Sequence, residues 1–215
     1  MNESALPLAA VLLGVGLLPF AFMSATAFVK IATVLHVVRS AIGVNGVPSG
    51  TVITALAGSL TLIAMAPVGS RIAERADPLW KRPVHIELVR EWVDAVREPM
   101  REFFLKTASA QEKARFFELS RNARDLHDRE NVHESDLTVL VPAFLVTELT
   151  DACAVGFLLF LPFFVIDWVV ANVLVALGMT MLNPAQMALP FKLLLFVAID
   201  GWGLLSQSLV AGYIQ

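Results

Sequence analysis

The stretch ALPLAAVLLGVGLLPFAFMSATAFV, residues 5–29, carries no charged side chain, and the apolar run continues past Lys30 as far as Val38. A bilayer core is crossed by ~20 consecutive apolar residues in a helix, whereas a buried soluble helix is satisfied with fewer. The run therefore predicts an integral membrane protein built from helices. With the first apolar block at 6–38, three more follow at 52–68, 137–182 and 187–214. Of the 215 residues 57% are hydrophobic and 16% charged, more apolar and less charged than an ordinary globular chain. A net charge of −3 offers no basic field for nucleic acid. The start, MNESALPLAA, lacks the basic region and the small-residue cleavage site of a secretory leader, so the first apolar segment is expected to stay in the protein.

Block 137–182 is longer than one span. It predicts two helices or a bent pair, with Leu161-Pro162 as a bend because proline removes a helix hydrogen bond. Asn183-Pro184 ends the block and turns the chain toward the fourth, and Gly43-Val44-Asn45-Gly46-Val47-Pro48 makes a similar turn between the first two. The pattern predicts an all-α fold of kinked helical hairpins: an N-terminal apolar hairpin over 1–69, a polar helical insert over 70–136 and C-terminal apolar hairpins over 137–215. The insert holds thirteen of the sixteen Lys and Arg and fourteen of the nineteen acids, so it faces water and is close to neutral. That balance leaves its side of the membrane open under the positive-inside rule. Within it, Ile86, Val89, Val93, Val96, Met100 and Phe103 predict a helix with one apolar face, which Pro99 is expected to break or kink. Ser109 to Glu112 reads as a capping box opening a second helix through Phe116, Phe117 and Leu119.

Catalytic signatures are scarce. His133-Glu134 begins like a zinc-protease helix, but Leu137 stands where the second histidine belongs. His127 and His133, near Asp125, Asp128 and Glu130, match no ligand spacing and read as a solvated face. There is no Gly-rich phosphate loop and no G-x-S-x-G elbow. No catalytic residue, cofactor or metal is therefore expected. Cys153, the single cysteine, excludes an intrachain disulfide and reads as a buried inert thiol. The charges inside the apolar blocks say more: Lys30, Glu148, Asp151, Asp167, Lys192 and Asp200. A charge in the bilayer core costs ~2.5–3.5 kcal/mol even on lenient scales, so each needs a counter-ion or water. They are either structural ion pairs that fix helices and subunits or steps of a proton or ion pathway. Acids scattered singly form no relay, which favours pairing. Gly178-Met179-Thr180-Met181-Leu182 also has two readings. Its methionines are plain packing at a helix end, or flexible thioethers that close around a passing chain in a ring of subunits.

Several strings, in order, resemble the SctR/FliP family of type III secretion export-apparatus proteins. They are Leu17-Leu18-Pro19-Phe20, Phe28-Val29-Lys30-Ile31, Val47-Pro48-Ser49, Val141-Pro142-Ala143-Phe144 with Glu148-Leu149-Thr150, Gly156-Phe157-Leu158-Leu159, Val165-Ile166-Asp167, Ala176-Leu177-Gly178-Met179, and Leu189-Pro190-Phe191-Lys192-Leu193 with Asp200-Gly201-Trp202. They span nearly the whole chain outside the insert and look most like the virulence-type injectisome members. The resemblance implies a non-enzymatic pore subunit of the bacterial inner membrane, multi-pass. It would sit in a five-copy helical ring with SctS-like and SctT-like subunits and an SctU-like switch protein, in contact with membrane lipid, and unfolded secreted polypeptides would leave through the ring. Much of such a complex stands above the bilayer plane. The family's methionine gasket maps onto Met179, Thr180 and Met181, and the chain departs from the family at Thr180, at Asn45-Gly46 and at Gly50. Lys30, Glu148, Asp167, Lys192 and Asp200 would stabilise helix and subunit contacts. A small ion- or proton-coupled transporter using the same charges is the alternative; an intramembrane hydrolase is disfavoured because no nucleophile and base pair is visible.

Overall fold

The computed structural model describes residues 16, 19–43, 46, 48–80, 86–125 and 127–214. The expectations that rest on residues 1–15, on Leu17 and Leu18, on Val44, Asn45 and Val47, and on the side chains of Ile86 and Val89 lie outside the described residues. Among those described every regular element is a helix: α1 (Pro19–Ala25), α2 (Phe28–Ile42), α3 (Gly50–Ala64), α4 (Ala66–Ala76), α5 (Ile86–Thr107), α6 (Ala110–Asn122), α7 (Leu137–Ala176), α8 (Pro184–Ala198) and α9 (Gly201–Ile214), with single 3-10 turns at Asp77–Leu79 and Arg129–Asn131. Among the described residues α7 alone is, by length and composition, long and apolar enough to cross a membrane, and the pairs α1 with α2, α3 with α4 and α8 with α9 reach that standard only when each pair is counted together.

The chain divides into two compact units: the described residues up to Val29 with those of Met65–Glu148, and Lys30–Ala64 with Leu149–Gln215. In the first, α4 packs along α5, and Leu79, Leu88 and Ala95 form a small core against which Trp92 lies. The expected helix over the first part of the insert is present, but its buried face is rotated from the expected stripe. Leu88, Ala95, Phe103 and Phe104 are buried while Val93 and Val96 are exposed. Pro99 does not break the helix: α5 runs through it, with the proline itself fully buried. Its ring fills space on the packed side, and the one lost bond, to the Ala95 carbonyl, is outweighed by the turns on either side. Phe103 and Phe104 meet Phe144 of α7 at ring distances of 5.4 and 5.0 Å.

Helix α6 begins at the expected cap: the Glu112 backbone N–H donates to Ser109 Oγ at 3.2 Å. The reciprocal half of the box comes from elsewhere. The Ser109 N–H donates to Thr147 Oγ1 on α7 at 3.1 Å, and the Glu112 carboxylate instead accepts from Arg115 at 2.9 Å. None of the residues of α6 is buried.

In the second unit, α2 buries Ile31, Val34, Leu35, Val38, Ala41 and Ile42, the spacing of a single helix face. Ser49 Oγ accepts from the Val52 N–H at 3.3 Å and so caps α3. The departure at Gly50 is sterically mild, since a Cβ there would lie 3.8 Å from Arg39 Nη1. One sequence expectation fails here. Block 137–182 is not two helices: α7 runs 40 residues without interruption, through Pro162. A proline only strips one partner from the Leu158 carbonyl, and with no Gly or Asn beside it to accept a turn, the chain stays helical. The break comes instead in the fourth block, where α8 and α9 meet at 58°.

Candidate functional site

Helix α7 ends in a Schellman motif. Gly178 takes φ 72°, its N–H donates to the Val175 carbonyl at 3.0 Å, and the Met179 N–H donates to the Leu174 carbonyl at 2.9 Å. The left-handed residue is a glycine because a Cβ disfavours that conformation. On the other side Asn183 caps α8, its Oδ1 accepting from the Ala185 N–H at 3.0 Å, and Pro184 fills the first turn, where no N–H is needed. The turn predicted at Asn183-Pro184 is therefore present. Between the two caps Met179 is 48% and Met181 97% exposed, and Thr180 is exposed as well. The methionines are not packed into their own chain.

The embedded charges resolve into two definite pairs. Lys30 Nζ lies 2.9 Å from Asp151 Oδ2 and 5.6 Å from the centre of the Tyr213 ring. Lys192 Nζ lies 2.6 Å from Asp167 Oδ2 and donates to the Ala41 carbonyl at 3.0 Å. The Lys192 side chain is 6% exposed, that of Asp167 33%, and Asp167 Oδ1 has no hydrogen-bond partner among the described residues. Glu148 is fully buried in α7. Asp200 departs from expectation. No ion pair is recorded for it among the described residues; it is exposed, holds φ 50° and forms the corner between α8 and α9. Asparagine and aspartate tolerate this conformation better than other side chains.

That corner was missed from sequence, although Asp200-Gly201 is a turn dipeptide that signals it. Phe196, buried, sits between Phe163 at 6.2 Å and Trp202 at 5.0 Å, and Gly201 lies against its ring. A second close approach is Gly156 of α7, where a Cβ would come 2.9 Å from Val37 Cγ1 on α2. Cys153 is exposed, not buried as expected. On a helix apolar all round, hydropathy does not distinguish the face that packs from the face that does not. His127 and His133 are exposed, and the His133 N–H donates to Asp136 Oδ2 at 3.0 Å, just ahead of α7.

An all-helical, strongly apolar chain, with lysine and aspartate paired inside its apolar helices and no group of three or more potential metal ligands among the described residues, has the architecture of a membrane component. Its family follows from its relatives. The FliP family model matches residues 11–209. The chain is 43% identical over 201 residues to the hypersensitivity response secretion protein HrcR of Ralstonia nicotianae, covering 93% of each chain. It is 40% identical over 197 residues to the Yop proteins translocation protein R of Yersinia pestis, covering 92% of this chain and 91% of that one. With the flagellar biosynthetic protein FliP of Caulobacter vibrioides it shares 38% over 214 residues, 99% of this chain and 78% of the relative. The chain belongs to the SctR/FliP family of the type III secretion export apparatus, a membrane component involved in protein translocation.

Proposed function

We propose that the chain is a pore-forming core subunit of the export gate, ringed with further copies of itself and with SctS-like and SctT-like subunits, through which unfolded proteins cross the bacterial inner membrane. The observation that carries this reading is the loop between α7 and α8. It is capped at both ends, yet it presents Met179 and Met181 outward. A thioether has three rotatable bonds and no fixed shape to defend, so a ring of them seals against small solutes and still yields to a polypeptide. The extensive apolar surface of α7, including Phe157, Leu158, Phe164 and Trp168, is the kind of patch that lipid or neighbouring subunits cover. The insert over 70–136 serves assembly: α6 buries none of its residues and offers its surface to partners.

The test is leakage of small ions across membranes that hold assembled gates. Met179→Ala with Met181→Ala is expected to leave the complex assembled and to raise leakage several-fold, because two side chains of volume leave the aperture. Thr180→Met should tighten the resting gate or leave it unchanged. An assembled double-alanine complex as tight as the parent would refute the gasket. A separate expectation concerns the insert. His127→Ala with His133→Ala should leave secretion and metal content unchanged; joint loss of bound zinc and secretion would show a metal site there.

A further inference from the structure

Lys192 does more than neutralise Asp167. Its ammonium reaches the Ala41 carbonyl, one of the last-turn carbonyls of α2 that the helix itself leaves without a partner. A cation is favoured at this end of a helix, where the backbone dipoles leave partial negative charge. The contact is buried, and α2 stops just beyond it at Gly43, φ 81°. Three helices thus meet at one nitrogen: α2 through its C-terminal end, α7 through Asp167 and α8 through Lys192 itself. Asp167 lies nine residues before α7 ends at Ala176, and Lys192 lies eight residues after α8 starts at Pro184. At 1.5 Å per residue each arm is about 12–14 Å of helix. The clamp is therefore level on the two arms, and the methionine loop is what they carry at their far end.

We propose that Lys192 is the positioning residue for the methionine loop: by capping α2 while holding Asp167, it fixes both arms of the α7 and α8 pair to the end of α2 and so sets where Met179 to Met181 stand. The consequence for sealing rests on the gating role proposed above, but the placement itself does not. Rigid helices transmit a displacement at the clamp to the loop, because the caps at Gly178 and Asn183 leave little slack there.

The test measures the loop's position directly. In a Cys153→Ser background, which removes the exposed native thiol, spin labels are placed at Ser40→Cys and Met181→Cys. The assembled complex carries the labelled chain diluted among unlabelled copies, so that distances within one chain dominate. A control pair, Ser40→Cys with Ser59→Cys, spans α2 and α3 and avoids the arms. Lys192→Met is expected to shift and broaden the Ser40 to Met181 distance distribution and leave the control pair unchanged, while Lys192→Arg keeps the parental distribution. Where Lys192→Met alone fails to assemble, the double variant Asp167→Leu with Lys192→Met takes its place with the same expectation. An unchanged Ser40 to Met181 distribution overturns the proposal, and so does equal broadening of both pairs, which marks a general loss of stability. A shifted loop in gates that stay tight would uphold the clamp and count against the gasket.

Discussion

Replacing Asp167 with alanine is expected to abolish the assembled complex, and to do more damage than replacing its partner. The two sides of the pair are not equally buried: Lys192 is 6% exposed and Asp167 33%. Asp167→Ala strands an ammonium that, among the described residues, has only the Ala41 carbonyl left to it, and breaking a buried pair in this way costs about 3–5 kcal/mol. Lys192→Ala leaves a carboxylate that is one-third exposed and a helix-end carbonyl, unsatisfied groups costing about 1–3 kcal/mol each. Removing both charges with Asp167→Leu and Lys192→Met should recover much of the loss, since apolar side chains of similar volume often replace a buried pair without penalty. Native gels of the detergent-extracted complex give the readout. Single variants that assemble fully and lose only ion coupling would favour a transport role for these charges. Asp200, for which no ion pair is seen among the described residues, should behave differently, with Asp200→Gly tolerated because glycine adopts positive φ freely.

A methyl group at position 201 should be nearly as disruptive. The Cβ of Gly201→Ala would run into the Phe196 ring, which is buried and hemmed in by Phe163 and Trp202. To make room the ring would have to shift toward the apolar cavity that it lines together with Gly201, Leu204 and Leu205, giving up its present packing. Overpacking of this kind costs about 1–3 kcal/mol. Gly212→Ala, on the same helix with nothing within 4 Å of its added carbon, is the matched control. Thermal unfolding of the extracted protein should separate the two variants clearly, and Phe196→Leu should restore room for the alanine. Equal midpoints for Gly201→Ala and Gly212→Ala would show that the corner is not packed as described.

The helices are legible in the sequence because long apolar runs leave little else for a backbone to do, and the cap at Ser109 and the turn at Asn183-Pro184 are legible because their chemistry is local. What failed was direction. The sequence reading places Val93 and Val96 on the buried face of α5 and treats Pro99 only as a break, yet Pro99 is buried and Trp92 packs against Leu88 and Ala95. Cys153 was misplaced for the same reason on α7, where every face is apolar. The sequence reading places a bend at Leu161-Pro162 and none at Asp200-Gly201, whereas α7 stays one helix through Pro162 and the chain turns at Asp200, whose φ is 50°. The charged pairs were partly legible. Sign and burial announced that Lys30 and Lys192 need partners, but the choice of Asp151 and Asp167 over the other acids depends on helix rotation, and a backbone carbonyl such as that of Ala41 carries no mark in a sequence.

The 40 residues of α7 set a length that no bilayer matches. At 1.5 Å per residue the helix is about 60 Å from end to end, roughly twice the thickness of a hydrocarbon core. Tilting does not absorb a factor of two, because helices lean by about 20° on average and seldom beyond 40°. Around half of this helix must then stand outside lipid, carrying side chains that water does not tolerate. Part of that length is covered within the chain itself, since Val139, Leu140, Ala143 and Phe144 near its start are buried, and the exposed apolar remainder calls for lipid or a partner surface.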